Sequence, residues 1–321
     1  MLIQHFSRTD GVDVSAPAKL NLVLEVLGKR SDGYHQVSTV MCPITLWDRL
    51  VVTPRSSSSI SLELELPAGA TGNDPAWRIP TDESNLVIQA AQKVQLALGV
   101  QSGCHIRLSK QIPATAGLGG GSSNAAATIV ACLLLWAGWD RRLANTICHQ
   151  LGSDTNFFLG DFQGFGMMLA QGRGEQTSLI PHRPKLAFLL THPPTGCSTK
   201  EVYARLEQLG DLQKSQDFLA ACESGQDSKI GATMFNALQS CASAMNPWIA
   251  IQLNLLSEIG CQHGQMSGSG SSCFAIAAQP GRRPESQGEF ERLARERGIT
   301  RAYRVEAWYG ESIEQQIDAR S

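Results

Sequence analysis

Four of the five residues from Gly117 to Gly121 are glycine, within the stretch "PATAGLGGGSSNAAATIV" that runs from Pro113 to Val130. Glycine lets a ligand come close to the backbone because no Cβ stands in the way. A strand, a glycine turn and a helix opening on Ser122, Ser123 and Asn124 would gather unpaired N–H groups at the positive end of a helix dipole, which is the chemistry of a phosphate site. Two familiar phosphate loops do not fit. No Lys follows the glycines as G-x-x-x-x-G-K-[ST] requires, and Ser122 stands where G-x-G-x-x-G needs its last glycine. A plain flexible turn ahead of a buried helix would account for one or two glycines but not four, since each costs roughly 0.5 to 1 kcal/mol of order.

The elements around this stretch alternate between strand and helix signals. "VDVSAPAKLNLVLEV" reads as two extended pieces broken at Pro17, and "GKRSDGYHQVSTVMCPITLWDRL" as a turn at Asp32-Gly33 followed by a β-rich run. In "ISLELEL" the residues Ile60, Leu62, Leu64 and Leu66 share one face. "TDESNLVIQAAQKVQLALGV" predicts a helix with a polar start and a stop at Gly99. The strand "CHIRLSKQIP" then leads into the glycines. A second half starts near "GFGMMLAQGRGE". It continues through the strand "KLAFLLTH", the loop and strand of "QMSGSGSSCFAIAA", a helix around "EFERLARERG" and the strand "AYRVEAWYG". Two polar segments, "AGATGNDPAWRIPTD" and "ESGQDSKIG", read as surface insertions.

Composition limits the partners. With 321 residues, 42% of them hydrophobic, the chain can bury a large core in one large or two medium domains. Its 27 Lys and Arg against 29 Asp and Glu, with no basic run, argue against nucleic acid. The apolar stretch "AAATIVACLLLWAGW" is short for a membrane span and is expected to be a buried helix. An N-terminus without a cationic and then apolar region, and nine scattered cysteines without a C-x-x-C pair, lead us to expect reduced thiols in the cytoplasm. Oligomeric state is not legible.

Three segments carry a resemblance. "PAKLNLVLEV" (Pro17 to Val26), "IPATAGLGGGSSNAAA" (Ile112 to Ala127) and "GSGSS" (Gly268 to Ser272) resemble, in order, the motifs of the galactokinase, homoserine kinase, mevalonate kinase and phosphomevalonate kinase superfamily. "SDGYH", Ser31 to His35, is similar to the branch that phosphorylates the 2-hydroxyl of 4-diphosphocytidyl-2-C-methyl-D-erythritol, in the non-mevalonate route to isoprenoids. The resemblance implies an α+β two-domain kinase fold. An N-terminal domain like the second domain of ribosomal protein S5 would span 1–178, a ferredoxin-like domain would span 179–321, and the site would lie in the cleft between them. It also implies ATP as phosphate donor, with Mg²⁺ carried on its phosphates and no metal site made by protein alone. Two positions depart from the pattern. Thr115 stands where relatives often have glycine, which predicts a crowded approach to the loop. Thr155-Asn156 follows Asp154 where relatives commonly read Val-Pro, which predicts a different local backbone.

The same resemblance assigns roles. Asp154 would accept the proton of the attacking hydroxyl and Lys19 would steady its oxygen, since phosphoryl transfer needs positioning and electrostatic stabilisation more than covalent chemistry. Pro113, Ala114, Thr115, Ala116, Gly117, Leu118, Gly119, Gly120, Gly121, Ser122 and Ser123 would form the ATP loop, with Asn85 and Lys110 on the adenine side. For Asn85, Ser122 and Ser123 a helix cap is an equal reading. His35 would read the cytosine edge and Tyr203 cover its face, with Tyr34 shaping the wall. Asn21, Thr199, Gly268, Ser269 and Gly270 would complete the substrate side. For Tyr203 a place on the buried face of the helix "TKEVYARL" competes. Two other classes stay open: a different small-molecule kinase of the superfamily, which "DGYH" and Tyr203 oppose, and a nucleotide-binding regulator without turnover, which has no need of both Asp154 and Lys19.

Overall fold

Pro17 does not break its strand. In the computed structural model, which describes residues 1–206, 212–277, 284 and 286–320, it lies inside a strand of nineteen residues. After β1 (Leu2–Ser7), β2 (Gly11–Lys29) pairs antiparallel with β3 (His35–Arg55) along almost its full length. Pro17 faces Trp47 and Ala18 faces Ile44, so Thr45 and Leu46 bulge out of β3 at that step. Proline has no N–H to give the ladder, and a bulge is where a sheet tolerates it. A second irregularity lies between Asn21 and Val23. Between these two bulges lie Lys19 and Asn21, which as i and i+2 residues project from the same face.

The sheet continues with β4 (Ile60–Glu65), helix α1 (Leu86–Leu98), β5 (Gly103–Ser109), helices α2 (Gly120–Trp136) and α3 (Arg141–Leu151), and the hairpin β6 (Met168–Gly172) and β7 (Gln176–Leu179). Its order is β1-β2-β3-β5-β4, and β3 forks: residues 49–55 pair with β5 while residues 37–41 pair with β6. Helix α1 begins and ends as its sequence predicts, with Asn85 accepting Val87 N–H at 2.9 Å and Gly99 at φ 63° closing it. The long apolar stretch is the buried helix α2, packed with α1 against Val12, Val14, Leu50 and Ile106 of the sheet. Ile60, Leu62 and Leu64 pack on that core from the edge, as their alternation predicts.

Beyond β7 the chain builds a second sheet. It contains β8 (Ala187–His192), then helices α4 (Thr199–Ala204), α5 (Lys214–Glu223) and α6 (Asp227–Thr233), the short strand β9 (Phe235–Asn236), α7 (Gln239–Met245) and α8 (Trp248–Glu258). Strands β10 (Gln262–Met266) and β11 (Cys273–Ile276), helix α9 (Gln287–Glu296) and strand β12 (Arg301–Glu306) follow, and α10 (Ile313–Asp318) ends the described fold. The order β10-β11-β8-β12, antiparallel at every step, with helices after its first and third strands in chain order, is the ferredoxin-like arrangement. Two elements cross back. Strand β9 runs parallel to β2, and α10 docks on β1 through Gln316, whose Oε1 accepts Ile3 N–H at 2.8 Å.

The segment around Trp77 is no loose surface insertion. Its 3₁₀ turn Pro75–Trp77 buries Trp77 to 4% exposure, and Asp74 pairs with Arg301 of β12, whose guanidinium lies 5.1 Å from the Trp77 ring centre. Ala76 O also accepts Ala114 N–H at 2.8 Å, so the segment straps the second sheet to the mouth of the glycine loop. The other polar segment, 223–231, folds into the end of α5 and into α6, where Ile230 is fully buried. None of the nine cysteines is in a disulfide, and among the described residues no helix is long and apolar enough to cross a membrane.

Candidate active site

Lys19 reaches the cleft from the stretch of β2 between the two irregularities of its ladder with β3. Its side chain is 4% exposed, and Nζ lies 3.6 Å from Asp154 Oδ2, in the turn after α3. The ammonium also donates to Gly117 O at 3.0 Å and to Asn21 Oδ1. Burial pulls its pKa down, and the Asp154 carboxylate partly opposes that shift. Asn21 is held in turn: its Nδ2 donates to Thr39 Oγ1 at 2.8 Å, and its backbone N–H to Ser267 Oγ at 3.2 Å. Asp154 stays about one-third exposed above the buried Phe157, Phe158 and Leu159. Behind it Thr155 is helical in backbone and a single 3₁₀ turn, Asn156–Leu159, follows; Thr155 Oγ1 and Asn156 Oδ1 are buried without a partner among the described residues.

The glycine loop turns its carbonyls into the protein. Ala116 O accepts Ser272 N–H, Gly117 O accepts Lys19 Nζ and Ser267 Oγ, Leu118 O accepts Lys19 N–H, and Gly119 O accepts Ser123 N–H. In a trans peptide the next residue's N–H points the opposite way, so the amides of Gly117, Leu118, Gly119 and Gly120 are aimed away from these partners. Helix α2 starts at Gly120, two residues ahead of the expected serines, and Gly119 at φ 71° is its N-cap with no side-chain bond. Neither Ser122 nor Ser123 therefore caps it. Ser122 lines the cleft, while Ser123 Oγ is fully buried with no partner among the described residues. Free amides at the helix start and a cradle without side chains fit the phosphates of ATP.

Thr115, where relatives' glycine was expected, takes a left-handed φ of 52°, and a Cβ on Gly196 of the second half would come within 2.8 Å of its Oγ1. Thr115 itself is exposed and lines the cleft. Asn85 spends its side chain capping α1 and donating to Pro80 O. Lys110 is 3% exposed and pairs with Asp48 beneath the loop. Neither of these lines the cleft, nor do Pro113, Ala114, Ala116, Leu118, Gly120, Gly121 or Ser123.

On the opposite wall the His35 and Tyr203 rings meet, with centres 4.9 Å apart and planes tilted by 34°. Burial lowers the His35 pKa, with Lys29 adding to the shift, and raises that of the Tyr203 hydroxyl. Tyr203 packs against the core of the second half, as its place on the helix predicts, and it also lines the cleft. Tyr34 is 58% exposed, with the Arg173 guanidinium 5.0 Å from its ring centre. Thr199 and Ser269 join their hydroxyls at 2.7 Å, while Gly268 and Gly270, at φ 57° and 89°, shape the late loop. Arg173 escaped the sequence reading. It lines the cleft from the β6–β7 turn between Gly172 and Gly174, and the two glycines in "QGRGE" are the signal that marks such a turn. Among the described residues no cluster of three or more His, Cys, Asp or Glu stands ready to hold a metal.

Residues 85–159 match the GHMP kinases N terminal domain, and residues 218–296 match the GHMP kinases C terminal. A homoserine kinase from Cytophaga hutchinsonii shares the fold at a TM-score of 0.69 and 17% identity, over 96% of this chain and 98% of its own. Fold and site together define a two-domain small-molecule kinase. A 4-diphosphocytidyl-2-C-methyl-D-erythritol kinase of Pelotomaculum thermopropionicum is 40% identical over 82% of this chain and 88% of its own, and one of Rhodopirellula baltica is 34% identical over 82% and 86%. The crystal structure of a 4-(cytidine 5'-diphospho)-2C-methyl-D-erythritol kinase superposes at a TM-score of 0.68 and 28% identity, over 93% of this chain and 99% of that one. The chain belongs to the 4-diphosphocytidyl-2-C-methyl-D-erythritol kinase family.

Proposed function

We propose that the protein transfers the γ-phosphoryl group of ATP to the 2-hydroxyl of 4-diphosphocytidyl-2-C-methyl-D-erythritol, releasing ADP, in isoprenoid precursor synthesis. The observation that carries the reading is that one cleft holds the Lys19–Asp154 pair, the glycine loop and the His35–Tyr203 pair. Asp154 accepts the proton of the attacking hydroxyl as the new P–O bond forms. The Lys19 ammonium, fixed by Asn21 and Gly117 O, steadies the oxygen as negative charge shifts. The loop amides hold the ATP phosphates, and ATP brings the phosphoryl group together with Mg²⁺, bound mostly by phosphate and water. Ser122, which lines the cleft in the first turn of α2, would help hold that ion.

The cytidine end is read by His35 and Tyr203, with Tyr34, Asn21, Thr199 and the loop Gly268 to Gly270 on the rest of the substrate. Residues 1–178 form the ATP-binding domain and 179–321 the second domain in this reading, with the cytoplasm as the place of work and no nucleic-acid or membrane partner. A coupled assay of ADP release tests it, with the diphosphocytidyl substrate set beside mevalonate, homoserine and galactose. Turnover only with the first is the expected result. Equal or greater turnover with another alcohol overturns the substrate, and nucleotide binding without turnover of any overturns the enzyme.

A further inference from the structure

The end of "TLWDRL" in β3 puts a carboxylate where no solvent reaches it. Asp48 is 0% exposed, and its two oxygens accept from four donors that bracket the glycine loop. Oδ1 takes the backbone N–H of Gln111 at 2.7 Å and of Ile112 at 2.9 Å, just before the loop. Oδ2 takes Asn124 Nδ2 at 2.9 Å, from the first turn of α2 just after it, and the Lys110 ammonium. Lys110 closes the ring by donating to Asn124 Oδ1 at 3.0 Å. Gly120 sits on top, since a Cβ there would lie 3.4 Å from Lys110 Nζ.

We propose that Asp48 is the positioning residue of the nucleotide loop: by tying its incoming strand and its outgoing helix to one carboxylate, it sets the spacing at which the loop amides meet phosphate. This rests on the kinase reading above. A loop rich in glycine has no stiffness of its own, so its shape must be imposed at its ends. Asp48 touches neither substrate and acts only through these partners. Its charge matters as well as its shape, because the ring around it offers donors on every side and an amide in its place would turn an N–H₂ either toward the Lys110 ammonium and the Asn124 amide or toward two backbone N–H groups.

The test is calorimetric titration of the full chain with Mg²⁺ and the non-hydrolysable β,γ-imido analogue of ATP, run beside steady-state kinetics and thermal melts. Asp48→Asn is expected to weaken analogue binding about tenfold or more, the scale of a lost charge-assisted hydrogen bond. The KM for the diphosphocytidyl substrate should stay within about threefold of the parent, because that end of the cleft is built from other elements. Asn124→Ala should do the same from the other end of the clamp. The double variant should be no weaker than the worse single one, since both break one ring, whereas two unrelated structural defects would add. If Asp48→Asn does not fold, Asn124→Ala alone decides by the same split. A folded variant that binds the analogue like the parent, or that weakens both substrates equally, overturns the assignment, and so does additivity. A parent that fails to bind the analogue overturns the kinase reading itself.

Discussion

Lys19 Nζ stands 3.6 Å from Asp154 Oδ2, yet one partner is buried to 4% exposure and the other is one-third open to the cleft. A buried ammonium needs a partner, and Asn21, Gly117 O and Asp154 supply three. Lys19 therefore keeps two of its three partners when the Asp154 carboxylate is removed.

That asymmetry predicts how Asp154→Asn behaves. Binding of ATP should be near that of the parent, because Lys19 keeps its bonds to Gly117 O and Asn21. Turnover should fall by about 10²- to 10⁴-fold, the range for a lost proton acceptor. Single-turnover kinetics with saturating substrates measures it, and activity within about threefold of the parent would remove Asp154 from the role.

The glycines are not equivalent, and the Cβ that Gly119 lacks would point into packed side chains. A Cβ there would meet Phe158 Cζ at 2.8 Å and Lys19 Cγ at 3.0 Å, so it would displace the Lys19 side chain from behind. At Gly117 it would meet Ser267 O at 2.1 Å, while at Gly121 the nearest atom is Leu86 Cδ1 at 3.7 Å. Gly121→Ala should be nearly silent. Gly119→Ala should lower both ATP affinity and kcat, with a strain of about 1 to 2 kcal/mol from its left-handed φ alone. Gly117→Ala should be the worst of the three. Parallel melts and nucleotide titrations rank them, and an equal response from all three would mean that the contacts around each Cβ do not matter.

The parts of the site that sequence made legible are those carried by local pattern. Lys19, Asp154, the glycine loop and "DGYH" each stand in a short motif, and the structure brings them into one cleft. Asp48 had no such signal: it is a single acid in an apolar strand, and its partners Lys110 and Asn124 lie 62 and 76 residues away. Trp77 was lost in the same way, inside a polar segment whose ionic partner is 227 residues distant. Pro17 misled because proline usually ends a strand, and only the register with β3 reveals the bulge that accommodates it. The φ of Gly119 was readable from residue type, but the direction of its missing Cβ was not.

A buried histidine gives the fold an acid limit. His192, 2% exposed at the end of β8, has Nδ1 3.0 Å from Ser272 Oγ in the late loop. Burial, helped by Arg301, lowers its pKa from 6.5 to about 3. The unfolded chain thus binds the proton more readily than the folded one, so the stability from neutral His192 is fully present above pH 6.5 and is lost as pH falls toward 3. Within that window the loss should approach about 1.4 kcal/mol per pH unit from this group. Urea melts at several pH values test it. His192→Gln, which keeps a polar partner for Ser272 without titrating, should flatten the slope, and an unchanged slope would assign the acid sensitivity elsewhere.

In the proposed reading, the His35–Tyr203 pair decides which alcohol is phosphorylated. With ring centres 4.9 Å apart the two rings already touch, and a base lying flat between them would need about 3.5 Å on each side. In that reading cytosine therefore stacks on the open face of Tyr203 or parts the pair, with the His35 imidazole at its edge. Replacing either residue by Ala should lower kcat/KM for the diphosphocytidyl substrate by the worth of one stacked base, roughly 1 to 3 kcal/mol or about 5- to 150-fold. The loss is expected to reach kcat in part, since binding energy at the cytidine end helps to place the distant 2-hydroxyl. Tyr203→Phe keeps the ring and should retain most of the activity. ATP affinity should be unchanged in all three variants, because the loop amides lie on the other wall. Kinetics with each substrate varied in turn is the measurement. If His35→Ala and Tyr203→Ala keep the parent's kcat/KM, or lose ATP affinity instead, base recognition lies elsewhere in the cleft.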